Sequence, residues 1–107
     1  MVETQPRPDW IAFLAHQSKG VQYRVLLVRD GLGVCNLRFS EYASIGEHNA
    51  PYEIDVLCVA GKGFVSIGSE SSGFSAGQRV LWPVGQQHRL WTVGSTMETL
   101  MIEHHSS

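Results

Sequence analysis

Short apolar segments alternate with glycine-containing breaks along most of the chain, a pattern typical of β-strands and turns. The segment "VQYRVLLVRD", from Val21, is rich in aliphatic and β-branched residues, and "VCNLRFS", from Val34, alternates apolar and polar positions. Between these segments "DGLG", at 30–33, has the composition of a tight turn. The two segments are therefore predicted to form a β-hairpin.

A second pair of strands is predicted from "PYEIDVLCVA" and "FVSIG". The intervening "GKG", at 61–63, offers positive φ without steric cost, so we place a turn there and expect the polar run "SESSG" to close the unit. The segments "QRVLW", "HRLWTV" and "METLMIE" follow. About seven short strands, with turns every eight to twelve residues or so, predict an all-β sandwich or barrel.

The first twenty residues differ from the rest of the chain. Residues 1–9 contain two of the four prolines and read as irregular. In "DWIAFLAHQS", Asp9 is a candidate N-cap before a cluster of apolar residues, which predicts a short helix, with an extra strand as the alternative. We therefore divide the chain into a lead-in segment at 1–20 and a barrel domain at 21–107.

The segment "GQRVLWPVGQQHRLW" contains the most informative spacing in the chain. Gly77, Pro83, Gly85 and His88 follow the pattern G-x5-P-x-G-x2-H, in which the proline and second glycine form a tight corner before the next strand. That corner aims the side chain of His88 toward the mouth of a barrel. The arrangement resembles the second conserved motif of the cupin superfamily, although Thr92 stands where the family commonly has asparagine.

The resemblance runs from about residue 21 to residue 103. It implies a small single-domain cupin: a double-stranded antiparallel β-helix, or jelly-roll barrel, preceded by the short N-terminal helix or extra strand. Cupins of this size are frequently dimers that pair or exchange edge strands, so we expect a homodimer. Arg89 and Trp91, which should face away from His88 on the same strand, are the expected place for a subunit contact.

The first cupin motif is only partly present. Gly61 resembles the glycine with which this motif ends, and counting back by the family spacing places His48 on the first histidine. Ala50 then stands on the second histidine and Ile54 on the glutamate. In this register the metal ligands that the resemblance implies are reduced to His48 and His88.

A second register is open, because His48 and Glu53 have the separation that the family shows between its second histidine and its glutamate. This register needs one extra residue before Gly61, such as a β-bulge, and it places Gly46 at the first histidine. His48, Glu53 and His88 would then form a two-histidine, one-carboxylate set, which suits a non-haem iron oxygenase.

Strand alternation favours the register without a bulge. Ile54, Val56 and Cys58 would share one face, and Glu53 and Asp55 the other. An apolar face turned inward is the less costly arrangement, since a buried unpaired carboxylate is strongly unfavourable.

The function that we expect is the binding of a small organic ligand in the barrel, beside a degenerate metal site. The alternative is a metal-dependent enzyme of the dioxygenase or isomerase type that uses His48 and His88, with Glu53 if the strand is bulged. A third interpretation is a dimerisation module with a vestigial pocket. A divalent transition metal, such as zinc, nickel, iron or manganese, suits the two imidazoles. The expected pocket residues are His48, Ile54, Val56, Cys58, His88 and Leu90.

Composition narrows the expected partners. The 107 residues carry eight basic and ten acidic side chains, a net charge of -2, with neither the basic stripe expected for nucleic acid nor a polybasic run for a membrane surface. We expect no nucleotide cofactor. The N-terminus has no signal-peptide pattern, so we expect a cytoplasmic location. Cys35 and Cys58 lie in apolar strand-like sequence and are expected to be reduced, buried thiols.

Overall fold

The computed structural model describes residues 1–105 and confirms the all-β expectation. No helix in this range is long and apolar enough to cross a membrane. The elements, in chain order, are β1 (Ile11–Ala12), a 3-10 turn (Ala15–Gln17), β2 (Lys19–Arg29), β3 (Leu32–Asn49), β4 (Glu53–Ile67), β5 (Glu70–Ser75), β6 (Arg79–Trp82), β7 (Gln87–Trp91) and β8 (Met97–His104).

The strands form two antiparallel sheets that share their longest members. The first halves of β3 and β4 pair with β8, which lies between them, and this sheet continues through β2 to β1 on one side and to β6 on the other. The second halves of β3 and β4 pair with β7, and β5 adds to the edge. Apolar side chains from both sheets form the core between them, including Phe39, Ile45, Val56, Trp82 and Leu90.

The predicted β2–β3 hairpin is confirmed. Arg29 pairs with Leu32 across a turn at Gly31, whose φ is +75°. Because β1 pairs only with Tyr23 and Gln22, the later half of β2 has no neighbour on its outer side within residues 1–105, and its apolar run Val25–Val28 is exposed. An unpaired apolar edge of this kind suits strand pairing, and the homodimer stays a prediction.

The predicted turn at "GKG" is wrong, because β4 continues through it from Glu53 to Ile67. Gly61 has φ +72° and lies where β4 leaves the sheet of β8 and β6 for the sheet of β7 and β5. A Cβ atom at Gly61 would collide with the carbonyl oxygen of Thr96. The glycine therefore forms a corner within one strand, and the hairpin turn lies at 68–69, so that most of "SESSG" belongs to β5.

The N-terminal segment adds the extra strand and not the short helix. Ile11 pairs with Tyr23 of β2, and the only helical turn within residues 1–105 is the three-residue 3-10 turn Ala15–Gln17. The left-handed φ values of 55° at His16 and 54° at Gln17 explain why no longer helix forms, since consecutive α-helical residues need negative φ.

Trp10 attaches the lead-in segment to the barrel. Its ring contacts the guanidinium groups of Arg24 and Arg38, which lie 4.1 Å and 4.5 Å from the ring centroid. Cation–π contacts of this kind stabilise an otherwise irregular segment. Residues 106–107 of the expected barrel domain lie outside the described residues.

Candidate functional site

The P-x-G corner lies between β6 and β7 and positions His88. β6 ends at Trp82, and Gly85 follows with φ +82° and donates its N–H to the carbonyl of Ala50, 3.4 Å away. β7 then begins at Gln87, and His88 is fully buried, with 0% of its surface exposed. The corner thus turns His88 into the interior of the molecule.

The first half of β4 has the register without a bulge before Cys58. Ile54, Val56 and Cys58 are 6%, 0% and 2% exposed, whereas the side chain of Glu53 lies outside and is exposed. The pairing with β8 does have an irregularity before Gly61, between Cys58 and Ala60, but Glu53 remains on the outer face. The alternative set of His48, Glu53 and His88 does not form.

His48 and His88 are cross-strand partners on β3 and β7, with their Nε2 atoms 3.0 Å apart. The Nδ1 atom of each ring faces a backbone carbonyl, that of Gly46 at 2.9 Å for His48 and that of Gln86 at 3.2 Å for His88. A carbonyl only accepts, so each Nδ1 carries the proton of its neutral ring. The two Nε2 lone pairs then face each other at 3.0 Å, and a cation or hydrogen-bond donor shared between them would relieve their repulsion.

Burial keeps both imidazoles neutral near pH 7. It lowers the pKa of His88 to about 4, with the neighbouring His48 as the second cause, and it also lowers the pKa of His48. Desolvation disfavours the charged form of a histidine, which explains the direction in both cases. At neutral pH the pair therefore offers two unprotonated nitrogen acceptors.

Two further rings enclose the pair. The imidazole of His16 stacks on His48 with centroids 3.7 Å apart and planes 4° apart, and the indole of Trp82 stacks on His88 at 3.7 Å. Gly46 allows the turn that carries His16 to approach, since a Cβ atom there would lie 2.6 Å from the carbonyl oxygen of His16. Sequence reasoning missed His16, and no spacing in its short segment identifies it.

A cavity of about 400 Å³ extends from this cluster along the inside of the barrel. Of the expected pocket residues, His48 and Ile54 line it, whereas Val56, Cys58, His88 and Leu90 are buried in the core and are not among the lining residues. The wall is mainly apolar and aromatic, with a few polar groups. Its other side chains include Phe13, His16, Tyr23, Cys35, Leu37, Ile45, Tyr52, Trp82, Met101 and Glu103.

The donor atoms at the histidine pair do not fit a tightly held metal ion. Among residues 1–105, no three or more histidine, cysteine, aspartate or glutamate side chains come together to hold one. The Nε2 atoms of His48 and His88, 3.0 Å apart, supply only two ligands, whereas structural and catalytic zinc sites have three or four from the protein. Ala50 and Ile54, to which the sequence comparison assigns the other two ligand positions, have no donor side chain.

Comparisons with known proteins support the fold. No family model and no curated protein matches the chain. Among solved structures, the polyketide cyclase RemF from Streptomyces resistomycificus superposes with a TM-score of 0.84 at 18% identity, over 99% of this chain and 81% of its own. KdgF from Halomonas sp. gives 0.82 at 16% identity, over 94% and 88%. A cupin-2 domain from Rhodospirillum rubrum gives 0.82 at 14% identity, over 98% and 76%. The chain is a small protein of the cupin fold.

Proposed function

We propose that this cupin-fold protein binds a small organic molecule inside the barrel, in a mainly apolar cavity with a few polar side chains. The observation that carries the proposal is the cavity of about 400 Å³, which is mainly apolar and is lined by a few polar side chains, among them His48. Ligand sites are commonly apolar pockets of roughly 300–1,000 Å³ with a few placed polar groups. This volume is at the lower end and suits a ligand of one or two rings.

The aromatic lining favours a planar ligand. Phe13, Tyr23, Tyr52 and Trp82 all contribute to the wall, and planar rings pack well against such side chains in stacked or edge-to-face geometry. A planar two-ring compound such as 2-naphthol is therefore a suitable probe.

Filling the cavity from within is expected to abolish binding. Ala50 is 3% exposed and lines the cavity, so the phenyl group of an Ala50→Phe variant would occupy space that the probe needs. Calorimetric titration with 2-naphthol should show saturable binding to the unmodified protein and a loss of at least about tenfold in affinity in the variant. Overpacking costs about 1–3 kcal/mol of stability, so the variant could be partly unfolded. Thermal unfolding identifies the temperatures at which it is folded and can be titrated.

Ala76→Phe is the matched control for the pocket-filling variant. Ala76 is exposed in the turn before β6, so the same substitution there should leave the affinity for 2-naphthol unchanged. Equal affinity of the unmodified protein and folded Ala50→Phe would contradict binding inside the barrel.

The second candidate function is that of a metal-dependent enzyme, favoured by the opposed Nε2 atoms of His48 and His88. These two residues would hold the metal, and water or substrate would complete its coordination. A bound metal would supply Lewis-acid polarisation of a substrate oxygen. With two protein ligands the expected affinity is low, so binding would depend on the substrate.

A metal retained by the histidine pair would favour the enzyme, and metal analysis measures it. After loading with zinc, nickel, iron or manganese and desalting, we expect far less than one metal per chain, with little change on His48→Ala. His104→Gln is the control, because His104 lies on the outer side of β8 and contacts Asp55 at 2.9 Å. Near-stoichiometric metal that is lost in His48→Ala and kept in His104→Gln would favour the enzyme.

A further inference from the structure

Glu103 places a carboxylate on the inner face of the barrel. The family resemblance would place a carboxylate on β4 instead. Along β8 the buried residues Met97, Thr99 and Met101 alternate with more exposed neighbours, and Glu103 continues the inner series and lines the cavity. Its cross-strand partner on β4 is Ile54, the residue to which the family spacing would assign the glutamate. The carboxyl group is thus inside the barrel but on the neighbouring strand.

Gly33 makes the space that this carboxylate occupies. It is the partner of Glu103 on the other side of β8, and a Cβ atom there would lie 3.0 Å from Glu103 Oε1 and 3.0 Å from His105 Cε1. Any larger residue would press against the carboxylate or the imidazole beside it.

The carboxylate retains acceptor capacity. The Nε2 atom of His105 lies 3.2 Å from Oε1, and the hydroxyl of Tyr52 donates to Oε2 over 3.5 Å. Charge-assisted hydrogen bonds are typically about 2.7–2.9 Å long, so both contacts are weak. A carboxylate accepts roughly four hydrogen bonds. With its side chain 24% exposed, Glu103 has lone pairs left for a donor in the cavity.

The groups around Glu103 are neutral donors, apart from the exposed His105. Burial, followed by the charge of Glu103, raises the pKa of the Cys35 thiol to about 11, and the same two causes, in the same order, raise the pKa of Tyr52. Both groups therefore keep their protons at neutral pH. This side of the cavity favours a ligand that donates a hydrogen bond and disfavours an anionic ligand, which the carboxylate would repel.

The carboxylate and the histidine pair lie on different sides of the cavity. Glu103 pairs with Ile54 and Ile54 with Trp82, so the backbones of Glu103 and Trp82 are two strand spacings, or roughly 10 Å, apart. The indole of Trp82 stacks on His88. An apolar stretch thus separates the carboxylate from the imidazole acceptors.

We propose that Glu103 accepts a hydrogen bond from a ligand hydroxyl, so that the cavity takes hydroxylated planar ring compounds of the phenol class. The inference rests on the proposed function and specifies its ligand.

Affinities for a matched pair of probes test this role. 2-Naphthol has the hydroxyl donor, and 2-methoxynaphthalene has the same rings without it. The unmodified protein should bind 2-naphthol about tenfold more tightly, the difference expected for a hydrogen bond to a charged group. Glu103→Gln keeps an amide oxygen, which is a weaker, uncharged acceptor, and should lower that ratio to about threefold or less. Glu53→Gln is the control: it removes an equal charge from the outer face of β4 and should leave the ratio unchanged.

The outcomes distinguish the two proposals. If the unmodified protein binds both probes and Glu103→Gln leaves the ratio unchanged, the role of Glu103 is overturned while ligand binding stands. If the unmodified protein binds neither probe, the proposed function and this inference both fail. Glu103→Asp, which keeps the charge but withdraws it by one methylene, serves if Glu103→Gln does not fold, and it should give an intermediate ratio.

Discussion

Replacing Gly61 with alanine is expected to destabilise the protein by about 3 kcal/mol or more. The residue has φ +72°, a conformation that costs a residue with a Cβ atom roughly 1–2 kcal/mol. Its Cβ atom would also collide with the carbonyl oxygen of Thr96, which accepts a hydrogen bond from the N–H of Lys62 at 3.1 Å. Relieving the collision requires β4 to move away from the start of β8.

Gly68→Ala is the control for this prediction. Gly68 has φ +59°, but an added Cβ atom would meet nothing within 4 Å, so only the conformational cost of about 1 kcal/mol is expected. Urea unfolding of both variants measures the two free energies. Equal losses would mean that the crowding at Thr96 does not determine the corner in β4.

Stability is expected to fall by about 2 kcal/mol between pH 8 and pH 5 because of His88 alone. The folded-state pKa of His88 is about 4, below its ordinary value of 6.5, so between these values the unfolded chain binds more protons. The stabilising contribution of His88 therefore rises with pH through this window and is complete above about pH 7. Below about pH 3 this group causes no further loss. His48, whose pKa is also lowered, contributes in the same direction.

Unfolding by urea at a series of pH values measures this slope. His88→Asn should flatten it, because asparagine does not titrate while its amide can donate near the position of Nδ1, toward the carbonyl of Gln86. His104→Gln, which removes a partly exposed histidine, should retain the slope. An unchanged slope in His88→Asn would contradict the assignment of the pH dependence to the buried pair.

Structural features that depend on residues close in sequence could be predicted. The P-x-G corner before His88 is local, because proline and glycine set the backbone within a few residues. Alternation along β4 likewise separated Ile54 from Glu53 correctly. The hairpin turn predicted at Gly61 is wrong because a glycine with positive φ looks the same in the sequence in both settings. It can form a hairpin turn or a corner within one strand. What distinguishes the two is Thr96, a residue distant in sequence.

The lining of the cavity could not be predicted, because it depends on contacts between residues that are distant in sequence. The alternation of Met97, Thr99 and Met101 places Glu103 on the inner face, but its position beside Ile54 depends on the register between β8 and β4. Alternation gives the face of a residue and not its depth, so buried core residues could not be told from cavity-lining ones. His16 reaches His48 through a left-handed turn that no periodicity encodes.

The central proposal, that a planar organic molecule binds inside the barrel, is tested most directly by nuclear Overhauser contacts to isoleucine methyl groups. Ile45 and Ile54 line the cavity, whereas Ile11, which is exposed, does not, and neither does Ile102. In a sample with 13C-labelled isoleucine methyl groups and bound 2-naphthol, we expect contacts from the probe to Ile45 and Ile54. Contacts confined to Ile11 or Ile102 would place the probe outside the barrel and contradict the proposal.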